Sequence, residues 1–139
     1  MTNETVRDNC CWIDLPLITD ERGSLSFVES GQQVAFPIRR FFYLYHLAKG
    51  ATRGKHAHRA TQQLFIAING SLRLVVDDGS DKKEWLLNTP HRALLVPPLH
   101  WVELNHFSDG AVCLVATDKN YDEADYLRDY DAFIMLARQ

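Results

Sequence analysis

The sequence predicts a mainly β fold, a small antiparallel sandwich or barrel followed by one C-terminal helix, and three observations carry the prediction. Eight short segments rich in β-branched and aromatic residues recur along the chain, clusters of Asn, Asp and Gly separate them, and the texture changes to helical spacing after Asp118. With 139 residues, 46% hydrophobic and 24% charged, the chain suits one globular domain over residues 1–139 with a buried core.

In chain order the predicted strands are WIDLPL from Trp12, SLSFVES from Ser24, RRFFYLYHL from Arg39, QLFIAING from Gln63, SLRLVVDDGS from Ser71, KEWLLN from Lys83, RALLVPP from Arg92 and AVCLVATD from Ala111. The run from Gln63 to Gly79 reads as a complete hairpin. Leu64, Ile66 and Ile68 alternate with Phe65 and Ala67 on one arm, and Leu72, Leu74 and Val76 alternate with Arg73 and Val75 on the other. Asn69-Gly70-Ser71 and the Asp-rich stretch from Asp77 to Asp81 are its turns, because Asn, Asp and Gly tolerate positive φ at little cost. From Lys119 to Arg138 there is no turn signal, and Tyr126, Leu127, Tyr130, Phe133 and Ile134 fall at helical spacing. Acidic residues crowd the start and Arg138 stands at the end, so one amphipathic helix over 119–138 is expected, with its aromatic stripe used for packing.

The formal net charge of -3 argues against a general nucleic-acid or anionic-membrane surface, since counterion-release binding needs clustered Lys and Arg. An anionic ligand would have to be held by local cations. The first twelve residues lack the basic start and apolar stretch of a signal peptide, and no apolar run approaches the roughly 20 residues of a membrane span, so a cytoplasmic protein is expected. Cys10, Cys11 and Cys113 are odd in number and form no C-x-x-C pair, which suggests reduced thiols rather than a disulfide framework.

The chemistry concentrates in GATRGKHAHRATQQ, residues 50–63. On a strand, His56 and His58 point to one face and Ala57 to the other, so both imidazoles reach one cavity. Such a pair suits proton transfer near neutral pH. Arg53 stands three residues before His56, and Arg40 opens an earlier strand. Guanidinium groups of this kind can grip a diphosphate bidentately. On that earlier strand, alternation sends Arg40, Phe42 and Leu44 to one face and Arg39, Phe41, Tyr43 and Tyr45 to the other. His46 and His91 read as surface or hairpin residues.

The spacing Gly50, His56, His58, Gln63, Gly70 resembles the first motif of the cupins, with Gln63 where a glutamate is usual, and this implies a single cupin jelly-roll barrel. The second cupin motif aligns poorly on PPLHWVELNHF, where its histidine falls on Val102. A cupin metal site takes two His and a Glu from the first motif and a His from the second. Two imidazoles and a neutral amide make a weak site, and His100 and His106 are the nearest stand-ins. A metal-free site follows.

Further segments, DERGSLSFVE from Asp20, FPIRRFFYLY from Phe36, RGKHAH from Arg53, PPLHW from Pro97 and DYLRDYDAF from Asp125, resemble the sugar 3,4-ketoisomerases over about residues 12–135. The resemblance implies conversion of dTDP-4-keto-6-deoxyglucose into a dTDP-3-keto-6-deoxyhexose for deoxysugar and glycan synthesis, with no metal or organic cofactor, in a homodimer that exchanges an N-terminal strand. Removal of the C3 proton, an enediol and reprotonation at C4 require a base, a proton carrier and an oxyanion donor. His58 is assigned as base and His56 as acid or shuttle. Tyr43 is the expected hydroxyl donor, Arg40 and Arg53 the diphosphate contacts, Arg22 a nucleotide contact, and Gln63, Tyr45 and Trp101 further substrate contacts. The family pattern commonly has Tyr at Phe42 and His at Val102. The alternatives are a non-catalytic nucleotide-sugar binder and a 3,5-epimerase-like cupin. The epimerase would use a His–Asp pair, and no Asp stands near His56 or His58 in sequence.

Overall fold

The structure is a computed structural model that describes residues 9–139. Two five-stranded antiparallel sheets face one another. The first has the order β1 (Cys11–Asp14), β9 (Arg92–Val96), β6 (Gln63–Asn69), β11 (Val112–Thr117), β4 (Arg40–Leu44). The second runs β12 (Tyr126–Leu127), β5 (Arg53–His58), β10 (Trp101–Asn105), β7 (Leu72–Asp77), β8 (Lys82–Leu87). A two-stranded ribbon, β2 (Ile18–Asp20) with β3 (Gly23–Leu25), stands apart. The mainly β prediction holds and the architecture is cupin-like, although the two sheets are not joined into a closed ring of hydrogen bonds.

Alternation explains the core. Phe65, Ala67, Cys113 and Val115 of the first sheet meet Leu72, Leu74, Val76, Val102 and Leu104 of the second, all almost completely buried. The opposite face of β6, with Leu64 and Ile66, is also buried, beneath Leu15, Val34 and Phe36 of the N-terminal segment. A strand covered on both faces reads as a near-continuous apolar run, which is how QLFIAI reads.

Three sequence expectations need correction. First, β6 and β7 do not form a hairpin: β6 pairs with β9 and β11, β7 with β8 and β10, and Asn69-Gly70-Ser71 carries the chain from one sheet to the other. Alternation fixes faces but not partners, so both topologies fit the same pattern. The Asp-rich turn after β7 does close a hairpin with β8. Second, β10, within PPLHWVELNHF, is a central strand of the second sheet, and the eight predicted strands do not include it. Third, the predicted helix over 119–138 is broken into a 3-10 turn at Glu123–Asp125, the short strand β12, and α1 (Tyr130–Ala137). Asp129 caps α1 by accepting the amide of Asp131, and Tyr126–Leu127 pair with β5 instead of continuing a helix. Phe133, fully buried against Ala57, Trp101 and Leu127, fastens α1 to the outside of the second sheet, a contact worth roughly 2–3 kcal/mol.

Candidate active site

The local shape of β5 builds the site. Gly54 (φ +85°) and Lys55 (φ +62°) are both left-handed, and the register with β10 slips there: Val102 faces His56, while Glu103 faces Gly54 and Leu104 faces Arg53. Lys55 is therefore an extra, bulged residue. Three residues apart on a regular strand, Arg53 and His56 would point to opposite faces. The bulge restores them to one face, the side on which Val102 and Leu104 meet the core. Glycine is needed at 54, because a Cβ there would lie 2.8 Å from the Val102 carbonyl oxygen.

His56 and His58 lie edge to face with ring centroids 5.2 Å apart, as the sequence predicted for a pair on one face. His56 shares a narrow hollow between the sheets with Arg53, Gln63, Phe42, Phe65 and Val102. His58 borders the neighbouring hollow with Arg40, Thr61, Lys119, Tyr121 and Tyr126. The structure thus brings Arg40, Arg53 and Gln63 to the histidines.

Asp125, missed in the sequence, completes this cluster. Its Oδ2 lies 2.9 Å from His58 Nδ1 and 2.5 Å from Thr61 Oγ1, while Oδ1 accepts the Ala60 amide at 2.8 Å. Burial alone would raise the Asp125 pKa, but the bonds from Thr61, His58 and Ala60 outweigh it and hold the carboxyl below its usual value. An ionised carboxylate only accepts, so Nδ1 of His58 carries the proton and Nε2 presents a lone pair. The expectation that no Asp orients the pair is corrected. Asp125 is 67 residues from His58, and only the pairing of Tyr126 with His58 across β12 and β5 shows the proximity.

Electrostatics keep both rings neutral. Burial lowers the His58 pKa, and the opposing hydrogen bond and charge of Asp125 do not fully restore it. Burial, reinforced by His58, pulls His56 down to about 4 against the opposing effect of its Nδ1 contact with the Gly54 carbonyl, 3.2 Å away. His56 Nδ1 donates to that carbonyl, leaving its Nε2 as an acceptor too. His58–Asp125 is therefore a hydrogen bond from a neutral imidazole rather than an ion pair.

Tyr126 is a second residue that the sequence did not single out as functional. Register places it directly opposite His58 on the same face, with its ring 4.3 Å from His58 and 5.0 Å from His56. Arg128 stacks over the Tyr126 ring at 4.4 Å and is held there by Glu123, which also accepts from Tyr121. DYLRDYDAF carries part of the ketoisomerase resemblance, but its helical spacing assigns Tyr126 to packing rather than to the site.

Other predicted site residues lie elsewhere. Tyr43 points to the outer face of β4, 54% exposed and stacked on Phe41, and Tyr45, just past the strand and 55% exposed, continues the row. The inner face at that point is Phe42, so within one chain Tyr43 is not joined to the histidines. Trp101 faces α1, edge-on to Tyr130 at 5.2 Å, on the opposite side of its sheet from Val102. Arg22 is exposed in the β2–β3 turn and bound to Asp20. His100 faces a separate small hollow with Cys10, Asp78 and Trp85, and His106 lies beyond β10. Among the described residues, no three His, Cys, Asp or Glu side chains gather in a metal-binding arrangement.

The family model described as "FdtA: WxcM-like, C-terminal" matches residues 8–138. A curated relative from Aneurinibacillus thermoaerophilus, a TDP-4-oxo-6-deoxy-alpha-D-glucose-3,4-oxoisomerase, is 38% identical over 121 residues, 87% of each chain. The chain belongs to the sugar 3,4-ketoisomerase family. Among solved members of this family, QdtA from Thermoanaerobacterium thermosaccharolyticum, in complex with TDP, superimposes with a TM-score of 0.92 at 35% identity, covering 94% of this chain and 95% of that one. Two Campylobacter jejuni members differ in the sugar they are named for. WlaRA, a TDP-fucose-3,4-ketoisomerase, matches at 31% identity and TM-score 0.88 over 93% of this chain and 96% of its own. WlaRB, a TDP-quinovose 3,4-ketoisomerase, matches at 36% and 0.87 over 91% and 98%.

Proposed function

We propose that this chain moves the keto group of dTDP-4-keto-6-deoxyglucose from C4 to C3 by metal-free proton transfer, with His58 Nε2 as the base. The observation that carries the reading is the Asp125–His58 pair, which holds a neutral imidazole in the tautomer a base requires. His58 takes the proton from C3, whose electron pair forms the C3–C4 double bond while the C4 carbonyl pair moves to O4. His56 Nε2, a poor proton reservoir but a free acceptor, takes the O3 hydroxyl proton and passes it to O4 as the C3 ketone forms. The protonated His58 imidazole, able to exchange with solvent, then gives a proton to C4, which fixes the C3 ketone and regenerates the base, and the exchange needs no oxidant. Tyr126 replaces Tyr43 as the hydroxyl donor to the developing oxyanion, and Arg53, Arg40 and Lys119 supply the cations for the diphosphate.

Incubation with dTDP-4-keto-6-deoxyglucose in deuterium oxide, followed by NMR, tests the reading. A 3-keto product with deuterium at C4 is expected, whereas a bound but unchanged sugar would make the chain a non-catalytic binder. A homodimer also belongs to this proposal, with the cytoplasm as its compartment. Phe41, Tyr43 and Tyr45 form an exposed aromatic row on β4, next to a groove of about 560 Å³ lined by Leu17, Phe27, Ile68 and Leu114. A second copy seated there would cover them, and sedimentation of a monomer would count against it. The strand expected to be exchanged, from Trp12, pairs here with β9 of its own chain. No helix among the described residues is long and apolar enough to cross a membrane.

A further inference from the structure

Likeness does not decide which 3-keto sugar is made, because relatives of similar identity are named for fucose and for quinovose, which differ at C4. The distribution of proton-carrying groups around the hollow does. His56, His58 and Tyr126 all project from the adjacent strands β5 and β12 of one sheet. The wall facing His56 across its hollow is built by Phe42 and Leu44 of β4, Phe65 of β6 and Val115 of β11, with Gln63 as its polar member. None of these exchanges a proton near neutral pH. In the neighbouring hollow, bordered by His58 and Tyr126, Arg40 and Lys119 match phosphate and Asp122 accepts the Ala124 amide. Tyr121 commits its hydroxyl to Glu123 at 2.6 Å.

We propose that proton removal and return both occur from the β5–β12 wall, so that the isomerisation is suprafacial and its product has the galacto configuration at C4. In the chair of a D-gluco 4-keto sugar, the hydrogen on C3 is axial on the α face, and that face must meet His58. The planar enediol stays bound between an apolar wall and the histidines, so whichever imidazole returns the proton delivers it to the α face of C4. Formation of that C4–H bond leaves the C4 hydroxyl axial on the β face. A gluco product would require an acid on the facing wall, where Phe42, Phe65 and Val115 stand.

The inference rests on the ketoisomerase reading, and one experiment separates their failures. The protein is incubated with dTDP-4-keto-6-deoxyglucose in ordinary water, and the product is read by proton NMR as it forms. A 3-keto sugar with a small coupling between H4 and H5, the gauche arrangement of an equatorial H4, is the expected result. A 3-keto sugar with a large trans-diaxial coupling would overturn the one-wall inference while leaving the isomerase intact. Absence of any 3-keto product would refute the isomerase reading and the inference with it.

Discussion

Replacing Asp125 by Asn should impair the enzyme more than removing the side chain altogether. Oδ1 accepts a backbone amide, from Ala60, and a backbone N–H cannot reverse its role. The oxygen of the substituted carboxamide must therefore stay at that position, which puts its NH2 group where Oδ2 now faces His58 Nδ1 and Thr61 Oγ1. Thr61 can rotate its hydroxyl to accept. His58 can accept only by losing the Nδ1 proton and placing it on Nε2, the atom that serves as base. An amide in place of the carboxylate of a Ser–His–Asp site costs about ten-thousandfold for this reason. A hundredfold to ten-thousandfold fall in kcat, about 3–5 kcal/mol in the barrier, is expected for Asp125→Asn with KM little changed. Asp125→Ala leaves both tautomers open and should fall only about tenfold to a hundredfold, although it strands the Ala60 and Thr61 donors and costs about 1–3 kcal/mol of stability. NMR progress curves and thermal melts on both variants give the comparison. An Asn variant with near-native kcat, or one faster than the Ala variant, would refute the tautomer argument.

The remaining predictions concern the residues around this pair. His58→Asn and His56→Asn should abolish turnover while dTDP affinity stays within about tenfold, roughly 1.4 kcal/mol, by calorimetry. Acid should destabilise the fold through His56: its unfolded pKa near 6.5 exceeds the folded value of about 4, so the unfolded chain binds more protons between these limits. Up to about 3 kcal/mol of stability should then be lost as pH falls through that window, an acid sensitivity that denaturant melts should find reduced in His56→Asn. Gly54→Ala should lower stability by about 1–3 kcal/mol, since it forces a Cβ into a left-handed residue 2.8 Å from the Val102 carbonyl. The same change should weaken dTDP binding by displacing Arg53, and an unchanged Tm and affinity would show the bulge to be dispensable.

The histidine pair was legible because its evidence is local: two residues apart means one face on any strand. Arg53 shares a face with His56 for a reason the sequence does not display, since its parity with His56 is wrong until the Gly54–Lys55 bulge adds a residue. The case of Tyr43 is the reverse. Strand alternation already set it opposite Arg40, and the structure follows that alternation, leaving Phe42 on the inner face. Asp125 and Tyr126 were illegible because their role depends on a pairing between β12 and β5, two distant segments. The spacing of Tyr126, Tyr130 and Phe133 meanwhile imitates a helix. Most segments of the β core are legible in the sequence, but β10 is missed and SLSFVES is a strand only at its start, in β3; the strand partners, which depend on how two sheets cross over each other, are not legible.

The most direct measurement of the central claim follows hydrogen loss from C3 of dTDP-4-keto-6-deoxyglucose in deuterium oxide, comparing the native chain with His58→Asn under conditions where both are saturated with the nucleotide sugar. The native chain should wash out the C3 hydrogen as it forms the 3-keto sugar, and the variant should bind without measurable exchange. Exchange at C3 by folded, ligand-bound His58→Asn at a rate near the native one would show that another group is the base.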